Sequence, residues 1–144
     1  MKKLLVFLMA FISFLDFAWS AEAMKIKLTL DSGKEVVVQM ADNSVARQFV
    51  QMLPAEFEFI DFASEEKISE FPKPISLKDA PLGMIATAGK MFIYAPWGNF
   101  GFFYKTHSLM PDKSLIELGE VESGLEYLSE SKGGFAARAE ILER

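Results

Sequence analysis

Tyr94 to Tyr104 read YAPWGNFGFFY, two tyrosines, a tryptophan and three phenylalanines spread around the turn-forming residues Pro96, Trp97, Gly98 and Asn99. Two strands joined at that turn account for the pattern. Phe92 and Tyr94 share one face of the incoming strand, Phe100, Phe102 and Tyr104 share one face of the outgoing strand, and Met91, Ile93 and Phe103 take the opposite faces. Both faces of the hairpin are therefore apolar. A sheet with one solvated side does not need that, so these strands are expected at the centre of the molecule, with a barrel interior on one side and a helix or loop on the other.

Outward from the hairpin, the alternation continues. KIKLTL (25–30) places Ile26, Leu28 and Leu30 on one face, and EVVVQM (35–40) returns with Val36, Val38 and Met40 at the same period across DSGK. ADNSVARQFVQMLP (41–54) changes to helical spacing: Asp42, Asn43 or Ser44 can cap, Val45, Phe49, Val50 and Leu53 form a stripe for the core, and Pro54 ends it. EFEFIDF (56–62) alternates with Phe57 and Phe59 on one parity and Ile60 and Phe62 on the other, which predicts a bulge near Phe59. The stretch from Ala63 to Pro81 holds three of the six prolines and reads as an irregular excursion. Downstream, LIEL (115–118) predicts a strand, GEVESGLEYLSES (119–131) a helix with Val121, Leu125 and Leu128 on one stripe, and FAARAEIL (135–142) a last strand. Six to eight strands and two short helices in about 120 residues favour a closed small antiparallel barrel, a mainly β fold in one domain.

The 144 residues are 51% hydrophobic, enough for a sizeable core, and the net charge is -5 without a dense basic block. Nucleic acid is therefore not an expected partner. There is no cysteine, which excludes thiol chemistry, disulfides and Cys-ligated zinc. Residues 1–23 have the order of an export signal: Lys2 and Lys3, an apolar run from Leu4 to Leu15, then small residues that allow cleavage after Ser20 or Ala23. The expected mature domain runs over 24–144 in the periplasm or outside the cell, with no membrane association after cleavage. The run is short for a span of about 20 apolar residues, so a retained anchor is the second choice. A start at Met24 would instead make the protein cytoplasmic.

The order of two motifs carries a resemblance. YAPWGNFGFFY followed by SLIELGEVESGLEYL resembles the small bacterial cyclophilin-like family, whose members share a Pro-Trp-Gly-Asn turn, an apolar strand ending Phe-Tyr, and a Leu-Gly-x-Val-Glu-x-Gly helix start. The second motif is also similar to true cyclophilins, through Leu118, Gly119, Val121 and Gly124. The resemblance covers Met24 to Arg144 and implies a closed eight-stranded antiparallel barrel with two short helices. Cyclophilin enzymes are prolyl isomerases that use a groove arginine followed by a Phe-Met-x-Gln segment. Arg47, Arg138 and Arg144 are the arginines here, none is followed by that segment, and none falls on the central strands. Gly89 and Lys90 stand where the family pattern has Gly-Asp.

Other chemistry finds little support. His107 is the single histidine, without metal-ligand spacing, and reads as a solvated loop residue; no metal or cofactor is called for. Serine-hydrolase and nucleotide-loop patterns are absent. Glu65 with Glu66 reads as loop charge, and Glu120 with Glu122 as first-turn acids of the second helix. Trp97 and Asn99 carry the open question. A turn tryptophan ordinarily folds back onto its own hairpin and an Asn there ordinarily makes turn hydrogen bonds. The functional reading makes Phe71, Tyr94 and Trp97 the wall of a peptide or small-ligand groove with Asn99 as its polar anchor. A binding module of unassigned activity is thus the first expectation, and a divergent peptidyl-prolyl isomerase the alternative. An accessory domain for a redox or envelope partner is a third.

Overall fold

The computed structural model of the protein describes residues 24–142. The expected signal segment, residues 1–23, and its cleavage point lie outside the described residues, as does Arg144. In chain order the elements are β1 (Lys25–Leu30), β2 (Glu35–Met40), α1 (Ser44–Gln51), β3 (Ala55–Phe62), β4 (Glu66–Ser69) and β5 (Met84–Ile85). They continue with β6 (Lys90–Tyr94), β7 (Asn99–Phe103), β8 (Pro111–Asp112), β9 (Leu115–Ser123), α2 (Leu125–Glu130) and β10 (Phe135–Ile141). Eight strands close a barrel in the order β1-β10-β3-β4-β7-β6-β9-β2, while β5 and β8 pair only with each other. All pairs are antiparallel, as hairpin-rich connectivity requires.

Alternation decides which residues enter the barrel. Ile26, Leu28 and Leu30 of β1 and Val36 and Val38 of β2 are buried inside, with the polar residues between them at the surface. Phe100 is the hub of the interior. Its ring lies 5.2 Å from Phe49 of α1, 5.2 Å from Phe57 and 5.8 Å from Phe59, each edge on, the arrangement that the ring quadrupole favours. Asn43 caps α1, accepting from the Ala46 amide at 2.9 Å, and its own amide donates to the Glu117 carbonyl at 2.8 Å, which ties the helix to β9.

The barrel also encloses a charge. Lys67 of β4 points inward and is buried, so its ammonium needs partners. It finds Asp61 at 2.9 Å, the carbonyls of Ser131 and Gly133, and the face of Tyr104 at 5.2 Å. Tyr104 donates to the same Asp61 carboxylate at 2.6 Å.

Three expectations change. β3 has no bulge near Phe59: its pairing runs unbroken from Ala55↔Ala139 to Phe59↔Phe135 and on to Ile60↔Ile68 and Phe62↔Glu66. The conflict of parities is resolved by leaving Ile60 and Phe62 exposed on the outer face. The excursion from Ala63 contains a barrel strand, β4, whose short EKIS sequence hides because its inward residues are Lys67 and Ser69, not hydrophobics. The helix expected from Gly119 begins only at Leu125, because β9 runs on to Ser123 and pairs with β2. Gly124 makes the corner at φ +90°, where a Cβ would sit 2.4 Å from the Glu35 carbonyl oxygen. Glu120 and Glu122 are thus strand residues, paired with Lys90 and Lys25.

Candidate functional site

The outer face of the central hairpin carries the site. On β6 and β7 the pleat sends Met91, Ile93, Phe100 and Phe102 inward, and Phe92, Tyr94, Asn99 and Phe103 outward. Phe92 and Phe103 stack at 4.3 Å and, with Met84, Ala86 and Leu115, form a second apolar cluster separate from the barrel interior. A loop layer formed by the segments before and after the hairpin, joined by the β5–β8 pair, lies over it, anchored by His107 N–H to the Ala86 carbonyl and Gly83 N–H to the Leu115 carbonyl, both at 2.8 Å. That cover answers why both faces of the hairpin are apolar.

Between this loop, β4 and the 94–99 turn lies a cavity of about 330 Å³. Its aromatic wall is a trio. Trp97 stands edge to face with Tyr94 at 5.2 Å and 88°, and with Phe62 of β3 at 5.8 Å and 90°. Trp97 nevertheless remains 62% exposed, so contact with its own hairpin leaves most of the indole open. The turn is held by Gly98 and Trp97 amides on the Tyr94 carbonyl, which leaves the Asn99 side chain out of it. Asn99 is only 5% exposed and lines the cavity, yet its carboxamide has no hydrogen-bond partner among the described residues. A carboxamide carries two donors and an acceptor, and those of Asn99 stay accessible to solvent in the cavity, since Ser44 Oγ is the one fully buried unpaired side-chain polar atom among the described residues.

Acidic residues flank the rings, with Glu66 the cross-strand neighbour of Phe62. His107 Nδ1 meets Glu65 Oε2 at 2.5 Å, and that hydrogen bond holds the imidazole above its ordinary pKa. Glu66 is half-buried against the apolar wall and burial pushes its carboxyl upward. Asp112 is held below the usual carboxylate range by hydrogen bonds from the Ser114 hydroxyl and amide. No lysine or arginine lines the cavity. The Ser114 hydroxyl donates to Asp112, and His107 bonds Glu65, so no serine is paired with the imidazole as a nucleophile. Among the described residues there is no group of three or more metal-ligating side chains. The arrangement suits holding a ligand: an aromatic surface, one buried polar anchor and negative flanks.

Of the four residues expected at a groove, the structure brings Tyr94, Trp97 and Asn99 together. Phe71 is elsewhere: it stacks on Phe100 at 4.7 Å, packs edge on against Phe49, and does not line this cavity. Arg47 pairs with Asp42 on α1 and Arg138 is exposed on β10, both off the cavity. The sequence reading missed Phe62, Glu66, His107 and Asp112. The parity of Ile60 and Phe62 was the one usable signal, since two large apolar residues on the solvent side of a strand ask for a reason.

A family model described as the cyclophilin-like family matches residues 29–140. No curated protein matches the chain. Among solved structures, the chain is similar to a hypothetical protein from Archaeoglobus fulgidus known from its solution structure, with a TM-score of 0.68 and 13% identity over 87% of this chain and 99% of that one. At that identity the likeness speaks for the fold alone.

Proposed function

The chain belongs to the cyclophilin-like family, and from that premise we propose that it is a binding module whose outer cavity takes a small molecule or a peptide side chain. The observation that carries the reading is Asn99, a residue only 5% exposed whose carboxamide makes no hydrogen bond among the described residues and keeps its polar atoms accessible to an aromatic cavity. Packing explains a buried ring. It gives no reason for an amide that makes no such hydrogen bond and keeps its polar atoms accessible at the wall of an aromatic cavity. A ligand that exchanges hydrogen bonds with Asn99 while lying on Trp97 and Tyr94 uses both the amide and the rings.

The isomerase alternative is weaker, since no arginine or lysine faces the cavity to hydrogen-bond a prolyl nitrogen and His107 is engaged by Glu65. Export to the periplasm or beyond belongs to the same proposal and is supported by the basic, apolar and small-residue order of residues 1–23. N-terminal sequencing from the native host tests it, and an intact Met1 in a cytosolic fraction overturns it.

The binding reading is tested by amide NMR in the presence of a panel of small organic probes. The Asn99 side-chain resonances and the Trp97 indole N–H are expected to shift together and saturably. Shifts centred on any other surface sink the reading. Relaxation of a short Xaa-Pro peptide, if accelerated by the protein and not by Trp97→Ala, would revive the isomerase.

A further inference from the structure

Resting on the reading of this cavity as a binding site, we propose that its ligand is an organic cation. The head group is a quaternary or alkylated ammonium, seated against Trp97, Tyr94 and Phe62 and neutralised by Glu66. Two features of the walls converge on that chemistry.

The first is the rings. Trp97 is perpendicular to both neighbours, so the trio forms a corner and not a stack, and ring faces stay open to a guest. An ammonium within about 6 Å of such a face is attracted by the ring quadrupole, most strongly by tryptophan. The protein's own cations leave these rings alone. The cation-to-ring contacts among the described residues use Lys34 on Tyr127, and Lys67 and Lys105 on Tyr104.

The second is the charge beside them. Glu65 is engaged by His107 and Asp112 by Ser114, whereas the Glu66 carboxylate, the cross-strand neighbour of Phe62, has neither an ion pair nor a side-chain hydrogen bond among the described residues and feels the His107 imidazole only through space. A half-buried carboxylate beside an apolar wall is unfavourable until a cation meets it. An anionic ligand would face three carboxylates and no lysine or arginine. A neutral hydrocarbon would use the rings but leave Glu66 desolvated. Only a cation satisfies both features, and at 330 Å³ the cavity suits a head group and not a folded surface.

The test compares choline with 3,3-dimethylbutan-1-ol, its neutral carbon isostere, on the full chain by NMR titration. The Trp97 indole and Asn99 carboxamide report, with Trp97→Phe assigning the indole. Choline is expected to bind about tenfold more tightly than the isostere, as a cation–ring contact and one carboxylate imply, and to weaken as salt is raised. Glu66→Gln should erase most of that preference. A third arm, a blocked Gly-trimethyllysine-Gly peptide, separates the sources: tighter binding than choline assigns the cation to a protein side chain, weaker binding to a free amine. Equal affinity for choline and the isostere overturns the cation and leaves the binding site standing. No shift with any probe overturns both. A choline preference unchanged in Glu66→Gln removes Glu66 from the assignment.

Discussion

Gly101 sits where β7 crosses β4 so closely that a Cβ would lie 2.3 Å from the Lys67 carbonyl oxygen. That neighbour is backbone and cannot swing away. Gly101→Ala is expected to cost about 3 kcal/mol through forced separation of the two strands, read as a lowered urea midpoint. The Lys67 ammonium behind it makes a second prediction. Asp61→Ala removes its counter-charge and should cost about 3 to 5 kcal/mol, more than a partly exposed carboxylate would suggest, because the loss is borne by the buried lysine. Tyr104 reports on the same cluster: its burial, and then its bond to Asp61, push the phenol up to about 12. Since the folded value exceeds the unfolded one near 10, the stabilisation is complete below about pH 10 and is lost as pH rises through the folded value. Ultraviolet tyrosinate titration should show one phenol ionising near pH 12, absent in Tyr104→Phe.

At the scale of elements, α1 depends on a single side chain at its start. Asn43 serves both as cap and as tie to β9, so Asn43→Ala should cost about 1 to 2 kcal/mol, while Asn43→Asp keeps the acceptor, loses the donor to Glu117 and should fall between. Chemical denaturation of the three proteins orders them. The sequence narrowed this cap to Asp42, Asn43 or Ser44, and the first hairpin and last strand were legible from alternation and the central hairpin from its two apolar faces around a turn. β4 was not, because its inward positions are a lysine held by Asp61, Tyr104 and the 131–133 carbonyls and a serine that donates to the Glu58 carbonyl, contacts that the local pattern does not announce. The start of α2 was misplaced for a related reason: Val121 fits a helical stripe, and only pairing with Val38 keeps it in a strand. The site divided in the same way. Tyr94, Trp97 and Asn99 are local to one turn and could be read together, whereas Phe62, Glu66 and His107 reach the cavity from three separate segments.

For the whole molecule, closure is the controlling fact. β10 pairs with β1 on one side and β3 on the other, across more than half the chain, so the barrel stays open until the last strand arrives. Folding should accordingly take milliseconds to seconds, and deletion of residues 135–142 should abolish the cooperative urea transition, because β1 and β3 become unpaired edges. Stopped-flow refolding and far-ultraviolet dichroism check the two. The pH response of the surface has a defined sign at one group. The Glu65 bond raises the His107 pKa, so its contribution is full below about pH 6.5 and fades as pH climbs through the elevated folded value. His107→Gln should flatten the stability profile in that window only.

The pleat of β7 separates two kinds of selection. Phe100 and Phe102 belong to the folding problem, while Asn99 and Phe103, one step away on the same strand, face the cavity with Tyr94 and Trp97. Under the proposed binding role, substitutions at Phe62, Glu66 and Trp97 would retune the cavity without reopening how the chain folds. A barrel built this way separates its outer surface from its interior, and a random library confined to those three positions should yield mostly folded proteins.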